Sequence, residues 1–369
     1  MKLYKKHVSD LGKVITGKTP RTSILENYGG KIPFLTPSDN LSEKFSPTTS
    51  KTLTKIGLNE VKNCLLPSKS ICVSCIGSDL GKVVLTKKPT VTNQQFNSIV
   101  PNEENDADFI YYLMTVVGKH LNYLSKTSTA VPIINKSTFA NYEIEIPNIK
   151  EQKRIGEILS SLDDKIELNR RINDNLEQQA QALFNEMFPH ITEGENMIGD
   201  LIMPKRGKGL LSKNAIKGDI PVVAGGIEPA TYHNQANTTA PVLTIAASGA
   251  NAGYINLWHI PVWASDSSYI DDSITPNVYF WYIMLKKRQK EIFDAQVGSA
   301  QPHIYPKHIA ELPMNVVFVE KIAEYNEIVT PIFEKKGQLF LESKHLTSLR
   351  DTLLPKLMSG ELKINDINN

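Results

Sequence analysis

The fold is decided by residues 151–188, which read EQKRIGEILSSLDDKIELNRRINDNLEQQAQALFNEMF and contain no proline and one glycine, Gly156. Apolar residues recur at alternating steps of three and four, interrupted by two asparagines, over about five repeats of the pattern. The series is Ile155, Leu159, Leu162, Ile166, Asn169, Asn173, Leu176, Ala180, Leu183 and Met187, and Ile158, Ile172 and Phe184 widen it. The other face carries charged and amide side chains, so the pattern predicts one long amphipathic helix.

Both ends of this helix have sequence signals. Asn148 and Glu151 predict a capping box at the start, and Pro189 is expected to stop the helix. At about 1.5 Å per residue the helix would be roughly 57 Å long. A helix of that length needs a partner that covers its apolar face.

The order of short motifs before the helix recurs after it. The matches are 30–34 (GKIPF) with 218–222 (GDIPV), 75–83 (CIGSDLGKV) with 247–255 (ASGANAGYI), 111–113 with 281–283, and 128–134 with 298–304. Each match is weak alone, but the last three lie at offsets of 172, 170 and 170 residues. A period that long excludes a solenoid and predicts a tandem duplication.

The duplication supplies the missing partner helix at residues 320–357. Its apolar series is Ile322, Tyr325, Val329, Ile332, Leu339, Leu346, Leu353 and Leu357, and Leu176 and Leu183 align with Leu346 and Leu353. Because the chain must return from the second globule, the two helices are expected to pair antiparallel. Pro331 and Gly337 predict that the second helix is kinked or begins late.

The predicted fold class is therefore α+β. Two mixed α/β domains are joined by two long antiparallel helices that form a coiled coil, in a tandem repeat with pseudo-two-fold symmetry. The expected boundaries are 1–150 and 189–313 for the globular domains and 151–188 and 314–369 for the helical segments. In the first domain, strands are expected at 31–35, 70–76, 82–86, 98–100 and 143–146, and a helix at 106–124.

Composition limits the class of protein. The 369 residues have a net charge of +2, but residues 1–150 carry 19 Lys and Arg against 12 Asp and Glu, a mild indication of a polyanionic partner. Three cysteines argue for a reducing compartment. The first residues lack the apolar core of a signal peptide, and no apolar run is long enough to span a membrane, so a cytoplasmic protein without membrane partners is expected.

Two local motifs suggest chemistry but lack its context. Residues 12–19 (GKVITGKT) match the phosphate-loop pattern, yet no buried strand precedes them and Pro20 follows at once, which favours a basic surface turn. Cys72 and Cys75 form a C-x-x-C, but a strand would send their side chains to opposite faces, as expected for structural cysteines. No reaction centre or metal site is recognisable, so the sequence predicts no catalytic residues.

Basic and polar residues beside turns are better candidates, since such loops place cations on phosphates and polar groups on base edges. For any single residue, an ordinary solvated loop remains the alternative. The candidates for DNA binding are Lys18, Thr19, Arg21, Lys82, Lys126, Ser128, Thr129, Lys205, Arg206, Lys208, Ser299 and Gln301. The candidates for helix pairing or partner docking are Ile155, Leu159, Leu162, Ile166, Asn169, Asn173, Leu176, Leu183, Leu346 and Leu353. Asn169 and Asn173 suit either register control or the docking of another protein's helix.

Two stretches resemble those of a known family. Residues 151–166 with 179–184 resemble the central conserved region of type I restriction–modification specificity subunits (HsdS), and residues 349–362 (LRDTLLPKLMSGEL) resemble their C-terminal conserved region. The globular domains are similar only at landmarks such as 17–20 (GKTP), 77–81 and 298–302. The architecture of the whole chain matches the family.

The resemblance implies a function. It implies a non-catalytic subunit whose two target-recognition domains each read half of a split double-stranded DNA target, with the paired helices fixing the gap. The helices would dock two modification subunits, and a restriction subunit that hydrolyses ATP and translocates DNA can join. S-adenosylmethionine, ATP and Mg are expected on those partners, and this chain needs no cofactor. The alternatives are a coiled-coil scaffold joining two globules that bind ligands other than DNA and, more distantly, a nucleotide hydrolase with a phosphate loop.

Overall fold

The structure, a computed structural model, describes residues 1–45, 48–125, 133–298 and 301–362, apart from the side chains of Leu124 and Ser125. The chain divides into two compact units. The first contains Met1–Glu167 and the stretch from Lys344 onward, and the second contains Leu168–Ser343. Each unit therefore contains part of both long helices. The four predicted domain boundaries stay a prediction.

The first unit contains three small sheets, three helices of its own and part of each long helix among its described residues. Its strands are β1 (Tyr4–His7), β2 (Gly12–Thr16), β3 (Tyr28–Leu35), β4 (Lys51–Leu53), β5 (Leu65–Leu66), β6 (Ile71–Ser74), β7 (Val83–Leu85), β8 (Thr90–Thr92), β9 (Phe96–Pro101) and β10 (Glu143–Ile146). Its helices are α1 (Lys55–Glu60), α2 (Ala107–Ser125), α3 (Lys136–Ala140), the start of α4 (Ile149–Met187) and the end of α8 (Val319–Ser359). The strands and the helix predicted from the sequence all correspond to observed elements.

The second unit repeats this plan. Its strands are β11 (Asn196–Met197), β12 (Lys205–Arg206), β13 (Ile220–Val223), β14 (Thr231–His233), β15 (Val242–Ala246), β16 (Ile255–Trp258), β17 (Trp263–Ala264), β18 (Ser267–Ile270) and β19 (Pro313–Met314). Its helices are the end of α4, then α5 (Val278–Lys287), α6 (Gln289–Asp294), α7 (Pro306–Ala310) and most of α8.

Strand order confirms the tandem duplication. The order β2-β9-β6-β7 in the first unit matches β12-β18-β15-β16 in the second, and β4-β3-β8 matches β14-β13-β17. In each unit the described strand pairs are antiparallel except one, β3 with β8 and β13 with β17. The pair β1-β10 likewise matches β11-β19. Only β5 lacks a counterpart among the described residues, so two copies of one topology make up the protein.

The repeated glycine turn aligns residue by residue. Gly81 N–H donates to Ser74 C=O at 2.8 Å, and Gly253 N–H donates to Ala246 C=O at 2.7 Å. Both glycines have positive φ angles, 89° and 87°, a conformation that glycine adopts without a steric penalty. The match predicted between residues 75–83 and 247–255 is confirmed.

The long helix α4 begins two residues before the predicted start and ends one residue before the predicted end. The Asn148 side chain accepts the Glu151 N–H at 3.1 Å and donates to the Glu151 carboxylate at 2.8 Å. The cap is therefore present, although its return bond joins two side chains rather than reaching the backbone. Pro189 follows the end of the helix, as predicted.

The expectation of a late start for the second helix is wrong, because α8 is one continuous element from Val319 to Ser359. The kink expected at Pro331 and Gly337 stays a prediction. Pro331 lies on an exposed face, where water can bind the carbonyl group that a proline leaves without a donor. Gly337 is needed for packing, since a Cβ atom there would lie 2.8 Å from Cγ of His259. Both residues therefore have a place inside the helix.

Contacts within each unit show that the two long helices run antiparallel. In the first unit, Asp163 of α4 pairs with Arg350 of α8. In the second, Glu177 pairs with Lys336, and Tyr325 donates its hydroxyl to Ala180 C=O at 2.9 Å. As residue numbers rise along α4 they fall along α8, which confirms the predicted orientation.

Both long helices contribute to the core of each unit. In the first, Ile155 and Leu159 of α4 join Leu354 and Leu357 of α8 in one buried cluster with α2. In the second, an aromatic group forms the centre, with ring centroids 5.2–6.1 Å apart, and its members are Phe184, Phe188, Phe280 and Tyr325. The helices are thus integral to both cores.

The two local motifs have structural roles. Residues 12–16 form β2, paired with β9, and no described helix follows at Thr19, which removes the context of a phosphate loop. Cys72 and Cys75 are both buried but belong to different core clusters, as the alternation of a strand predicts. Burial raises the pKa of the Cys72 thiol to about 12. Both cysteines are free.

The turn between β6 and β7 offers a stability test. Gly77 and Gly81 both have positive φ, but a Cβ atom on Gly81 would lie 2.1 Å from the Gly118 carbonyl oxygen of α2, whereas Gly77 faces open space. We expect Gly77→Ala to cost about 1–2 kcal/mol from backbone strain alone. Gly81→Ala should cost at least about 2 kcal/mol more, because α2 must move away. Urea denaturation of both variants measures the difference, and equal losses would show that the close approach is unimportant.

Candidate nucleic-acid interface

A Gly-Lys step follows β2 and begins the first candidate loop. Gly17 N–H donates to Phe96 C=O at 3.1 Å, and Lys18 N–H donates to Thr92 C=O at 2.9 Å. A Cβ atom on Gly17 would lie 2.1 Å from the Asn93 carbonyl oxygen, so only glycine fits there. The step fixes the backbone of Lys18 while its side chain stays exposed.

A second Gly-Lys step follows β12 with the same bonds. Gly207 N–H donates to Ser267 C=O at 2.8 Å, and Lys208 N–H donates to Ala264 C=O at 2.9 Å. A Cβ atom on Gly207 would lie 2.5 Å from the Ala264 carbonyl oxygen. The sequence comparison missed this equivalence, because the two steps lie outside the 170-residue offset and share only the Gly-Lys pair. Lys18 and Lys208 thus occupy the same position in the two units.

Two other predicted residues near the first step are already held by neighbours. The Thr19 hydroxyl donates to Gln94 Oε1 at 2.7 Å. The Arg21 guanidinium donates to Glu60 Oε1 at 2.8 Å, and this hydrogen bond raises the pKa of Arg21. The same bond lowers the pKa of Glu60 to about 2. A phosphate would have to compete with a carboxylate for Arg21, whereas Lys18 has no ion-pair partner among the described residues.

In the first unit, a buried asparagine connects the candidate loop with a distant segment. The Thr16 hydroxyl donates to Asn97 Oδ1 at 2.7 Å, and Asn97 Nδ2 donates to Ile134 C=O at 3.1 Å. The end of β2 is thereby linked to the stretch that follows residues 126–132. Lys126, Ser128 and Thr129 lie outside the described residues, so their predicted role stays a prediction.

In the second unit, a carboxylate makes the corresponding connection. Arg206 Nη2 lies 2.5 Å from Asp266 Oδ1, and the Ser248 hydroxyl donates to the other oxygen of Asp266. Ser248 pairs with His303 in an isolated bridge, so Arg206 is linked to the stretch that contains Gln301. Gln301 is exposed, and Ser299 lies outside the described residues. Lys205 Nζ contacts Ser273 Oγ at 3.2 Å.

Sequence reasoning missed Asn97, Ser248 and Asp266. A polar residue at the end of a strand carries no signal of its own, since its importance comes from the neighbouring strands. In the first unit, the structure nevertheless links the basic step after β2 to the segment before α3. In the second unit, it links the basic step after β12 to the segment before α7. These two stretches are far apart in the sequence.

Lys82 lies elsewhere. It lines a cleft of about 540 Å³ in the first unit, together with Lys119 of α2 and Arg350 of α8. Asp163 and Tyr112 form part of the same wall. The structure does not show Lys82 beside Lys18, so these two candidates do not form one described site.

In each unit a shorter helix, α2 or α5, contacts both long helices. The contact consists of a tyrosine on the shorter helix, a carboxylate on α4 and a cation on α8. In the first, the Tyr112 hydroxyl donates to Asp163, and Arg350 Nη1 donates to Asp163 Oδ1 at 2.6 Å. Burial and the Asp163 charge raise the pKa of Tyr112 above its ordinary range. Burial disfavours the charged form of Arg350, but Asp163 outweighs it, so the pKa of the guanidinium is raised.

The second unit uses different residue types for the same purpose. The Tyr282 hydroxyl donates to Glu177 Oε1 at 2.8 Å, and Lys336 forms an ion pair with the same carboxylate. Burial alone would raise the pKa of Glu177, but Lys336 and the Tyr282 hydroxyl outweigh it and the pKa is lowered. The Glu177 carboxylate is therefore held in the charged form.

The predicted helix-pairing residues fall into three groups. Ile155 and Leu159 are buried in the first core, and Leu353 and Leu183 pack against the first and second cores respectively. The half-buried members are Leu162, Ile166, Asn173, Leu176 and Leu346. Asn169 is fully buried and donates to Glu342 Oε2 at 2.8 Å and to Ser343 Oγ at 3.3 Å. That contact joins the two helices, but it does not decide between register control and partner docking.

None of the described helices has the length and apolar character that a bilayer crossing requires. No group of three or more His, Cys, Asp or Glu side chains in the described ranges could hold a metal ion.

Comparison with known proteins agrees with this architecture. Residues 2–178 match the model of the type I restriction modification DNA specificity domain. The chain is 26% identical to the type I restriction enzyme MjaIX specificity subunit of Methanocaldococcus jannaschii, over 98% of this chain and 94% of that protein. Over its whole length the chain is similar to a type I restriction–modification specificity subunit, and the matched DNA specificity domain spans just under half of it.

Two further similarities accompany this result. The chain is 38% identical to the HindI specificity subunit of Haemophilus influenzae, over 46% of this chain and 38% of that protein. The crystal structure of a type I restriction–modification S subunit from M. genitalium superposes with a TM-score of 0.61 and 23% identity. That alignment covers 97% of this chain and 96% of the other, so the fold extends over both units.

Proposed function

We propose that this chain is a type I restriction–modification specificity subunit that reads a split double-stranded DNA target, with each globular domain contacting one half. The domains are residues 1–150 and 189–313, as predicted from the sequence. The observation that carries the proposal is the duplicated Gly-Lys step, which fixes an exposed lysine at the same position of both units. Two copies of one positively charged feature suit two half-sites on one polyanion.

Each half also has residues suited to base contact. Arg206 is held by Asp266 in the second unit, and an oriented guanidinium can form two hydrogen bonds with guanine. Lys18 and Lys208, whose cationic groups are free of ion pairs with described residues, suit phosphates. Of the remaining candidates, Thr19, Arg21, Lys82, Lys126, Ser128, Thr129, Lys205, Ser299 and Gln301, the polar ones would contact base edges and the basic ones phosphates.

The rest of the proposed complex follows from the family. The chain itself is non-catalytic, and the long helices dock two modification subunits that bind S-adenosylmethionine and methylate adenine. A restriction subunit that uses ATP and Mg can join them. The paired helices fix the distance between half-sites, with Asn169 and Asn173 setting their register or contacting a docked subunit.

Long-read detection of methylated adenine tests the proposal. Cells with and without this gene should differ at one split sequence motif, which should be methylated only when the gene is present. A complex reconstituted from the purified subunits should methylate the same motif. Methylation without a split sequence preference would overturn the proposal and favour the alternative, a scaffold for other ligands.

A further inference from the structure

The loops that start at the two Gly-Lys steps expose large apolar side chains. The first loop is residues 17–27, and the second loop is residues 207–217. Leu25 is 81% exposed in the first loop, and Leu211 and Ile216 are 62% and 61% exposed in the second. Three such side chains on equivalent loops of two units point to a shared use.

These side chains are exposed although their loops are held in place. In the first loop, Asn27 Nδ2 donates to Arg21 C=O at 3.1 Å, and the Tyr28 hydroxyl donates to Pro20 C=O at 2.9 Å. Thr54 N–H donates to Asn27 C=O at 3.0 Å. The backbone on both sides of Leu25 is therefore bonded, so the exposure of Leu25 is a property of a fixed conformation.

The second loop is held at both ends in the same way. Leu210 N–H donates to Ser265 Oγ at 2.9 Å, and Trp263 Nε1 donates to Lys208 C=O at 2.8 Å. Ile216 N–H donates to His233 Nδ1 at 3.0 Å. Leu211 thus follows an anchored residue, and Ile216 is anchored through its own N–H. Both side chains nevertheless stay exposed.

The same two loops carry exposed cations, and Glu26 in the first loop is their one acidic residue. Lys18 and Arg21 precede Leu25, and the second loop carries Lys208, Lys213 and Lys217, all exposed. Among the described residues, none of the four lysines has an ion-pair partner. Apolar side chains between lysines do not fit an apolar protein surface, which would leave buried charges unpaired. They fit duplex DNA, where phosphates contact the cations and base edges in the groove accept apolar contacts.

We propose that Leu25, Leu211 and Ile216 enter the major groove and contact the C5-methyl groups of thymines. This inference rests on the proposed function, because it names how the recognition domains read part of their half-sites. The lysines contact the flanking phosphates and hold the loops at the groove. Leu25 recognises a thymine in one half-site, and Leu211 and Ile216 recognise thymine in the other.

The test uses the assembled methyltransferase complex and its mapped target. Each thymine of a target duplex is replaced in turn by uracil, which keeps the base pair and removes only the methyl group. At the contacted positions, binding should weaken roughly fourfold, the effect of one buried methyl group. Leu25→Ala should weaken binding to the unmodified duplex by a similar or larger factor and abolish the effect of uracil in one half-site. Leu211→Ala with Ile216→Ala should do the same in the other half-site.

Lys18→Ala is the matched control. It should weaken binding to the thymine and uracil duplexes equally. It should also reduce the slope of log affinity against log salt concentration by about one. The leucine and isoleucine variants should leave the salt dependence unchanged. The exposed positions of these side chains imply little effect on melting temperature, which a thermal scan checks.

The outcomes separate this inference from the proposed function. If the wild-type complex binds a split target and no uracil substitution or apolar variant alters binding, this inference is wrong and the proposed function stands. If the complex shows no preference for any split target, the proposed function itself fails. If the variants weaken binding but the uracil effect persists in them, the contacts are not made to thymine methyl groups.

Discussion

Lengthening both long helices by one heptad is expected to widen the gap between the two halves of the DNA target by about three base pairs. Seven residues add about 10.5 Å to a helix, and successive base pairs are about 3.4 Å apart. Asn169 contacts Glu342, and Glu177 contacts Lys336, so residues near 173 of α4 face residues near 339 of α8. Insertions at these two places keep the heptad pattern in both helices. They also leave intact the contacts of Asp163 with Tyr112 and Arg350 and those of Glu177 with Tyr282 and Lys336.

Mapping of methylated adenines in cells that carry the lengthened subunit provides the measurement. The half-site sequences should be unchanged while the gap between them grows. The matched control carries the seven-residue insertion in α4 alone. This insertion shifts one helix against the other and should abolish methylation. An unchanged gap in the doubly lengthened variant would contradict the view that the helices set the spacing.

Replacing Arg350 by leucine is expected to lower the free energy of unfolding by roughly 3 kcal/mol. The substitution leaves the Asp163 carboxylate, which is 9% exposed, without its cation and with only the Tyr112 hydroxyl as a described partner. Removing one member of a buried ion pair costs about 3–5 kcal/mol, and the lower figure applies because Arg350 is partly exposed. Urea denaturation of the full chain measures the loss.

The same arginine provides the control. Arg350 Nη2 also contacts Asp351, which is 51% exposed, and an exposed pair contributes at most about 1 kcal/mol. Asp351→Asn should therefore have little effect. Adding Asp163→Asn to Arg350→Leu should recover part of the loss, because the unpaired charge is removed. Similar losses for Asp351→Asn and Arg350→Leu would show that burial of Asp163 is not the cause.

Helical periodicity and the repeated landmarks predicted most of the fold. The heptad pattern located α4 to within two residues, and the repeat located α8 and its antiparallel orientation. These features depend on local spacing, which a single sequence displays. Strand order could not be predicted, because β2 pairs with β9 across some eighty intervening residues and neither strand specifies its neighbour.

The candidate interface was only partly predictable for the same reason. Lys18 and Lys208 were recognisable as basic residues beside glycines, but their equivalence depends on bonds from Gly17 and Gly207 to distant strands. Asn97 and Asp266 gain their importance from the segments they connect. Pro331 did not delay the start of α8, because a helix tolerates proline where solvent covers its face.

The division of the chain into units has a consequence for synthesis. The first unit is assembled from two separated stretches, Met1–Glu167 and the residues from Lys344 onward, and the second unit lies between them. During translation, the ribosome releases all of the second unit before it releases Arg350, Leu354 and Leu357. Until then, Ile155, Leu159 and Asp163 have no partner from α8. The unit that is begun first is therefore completed last.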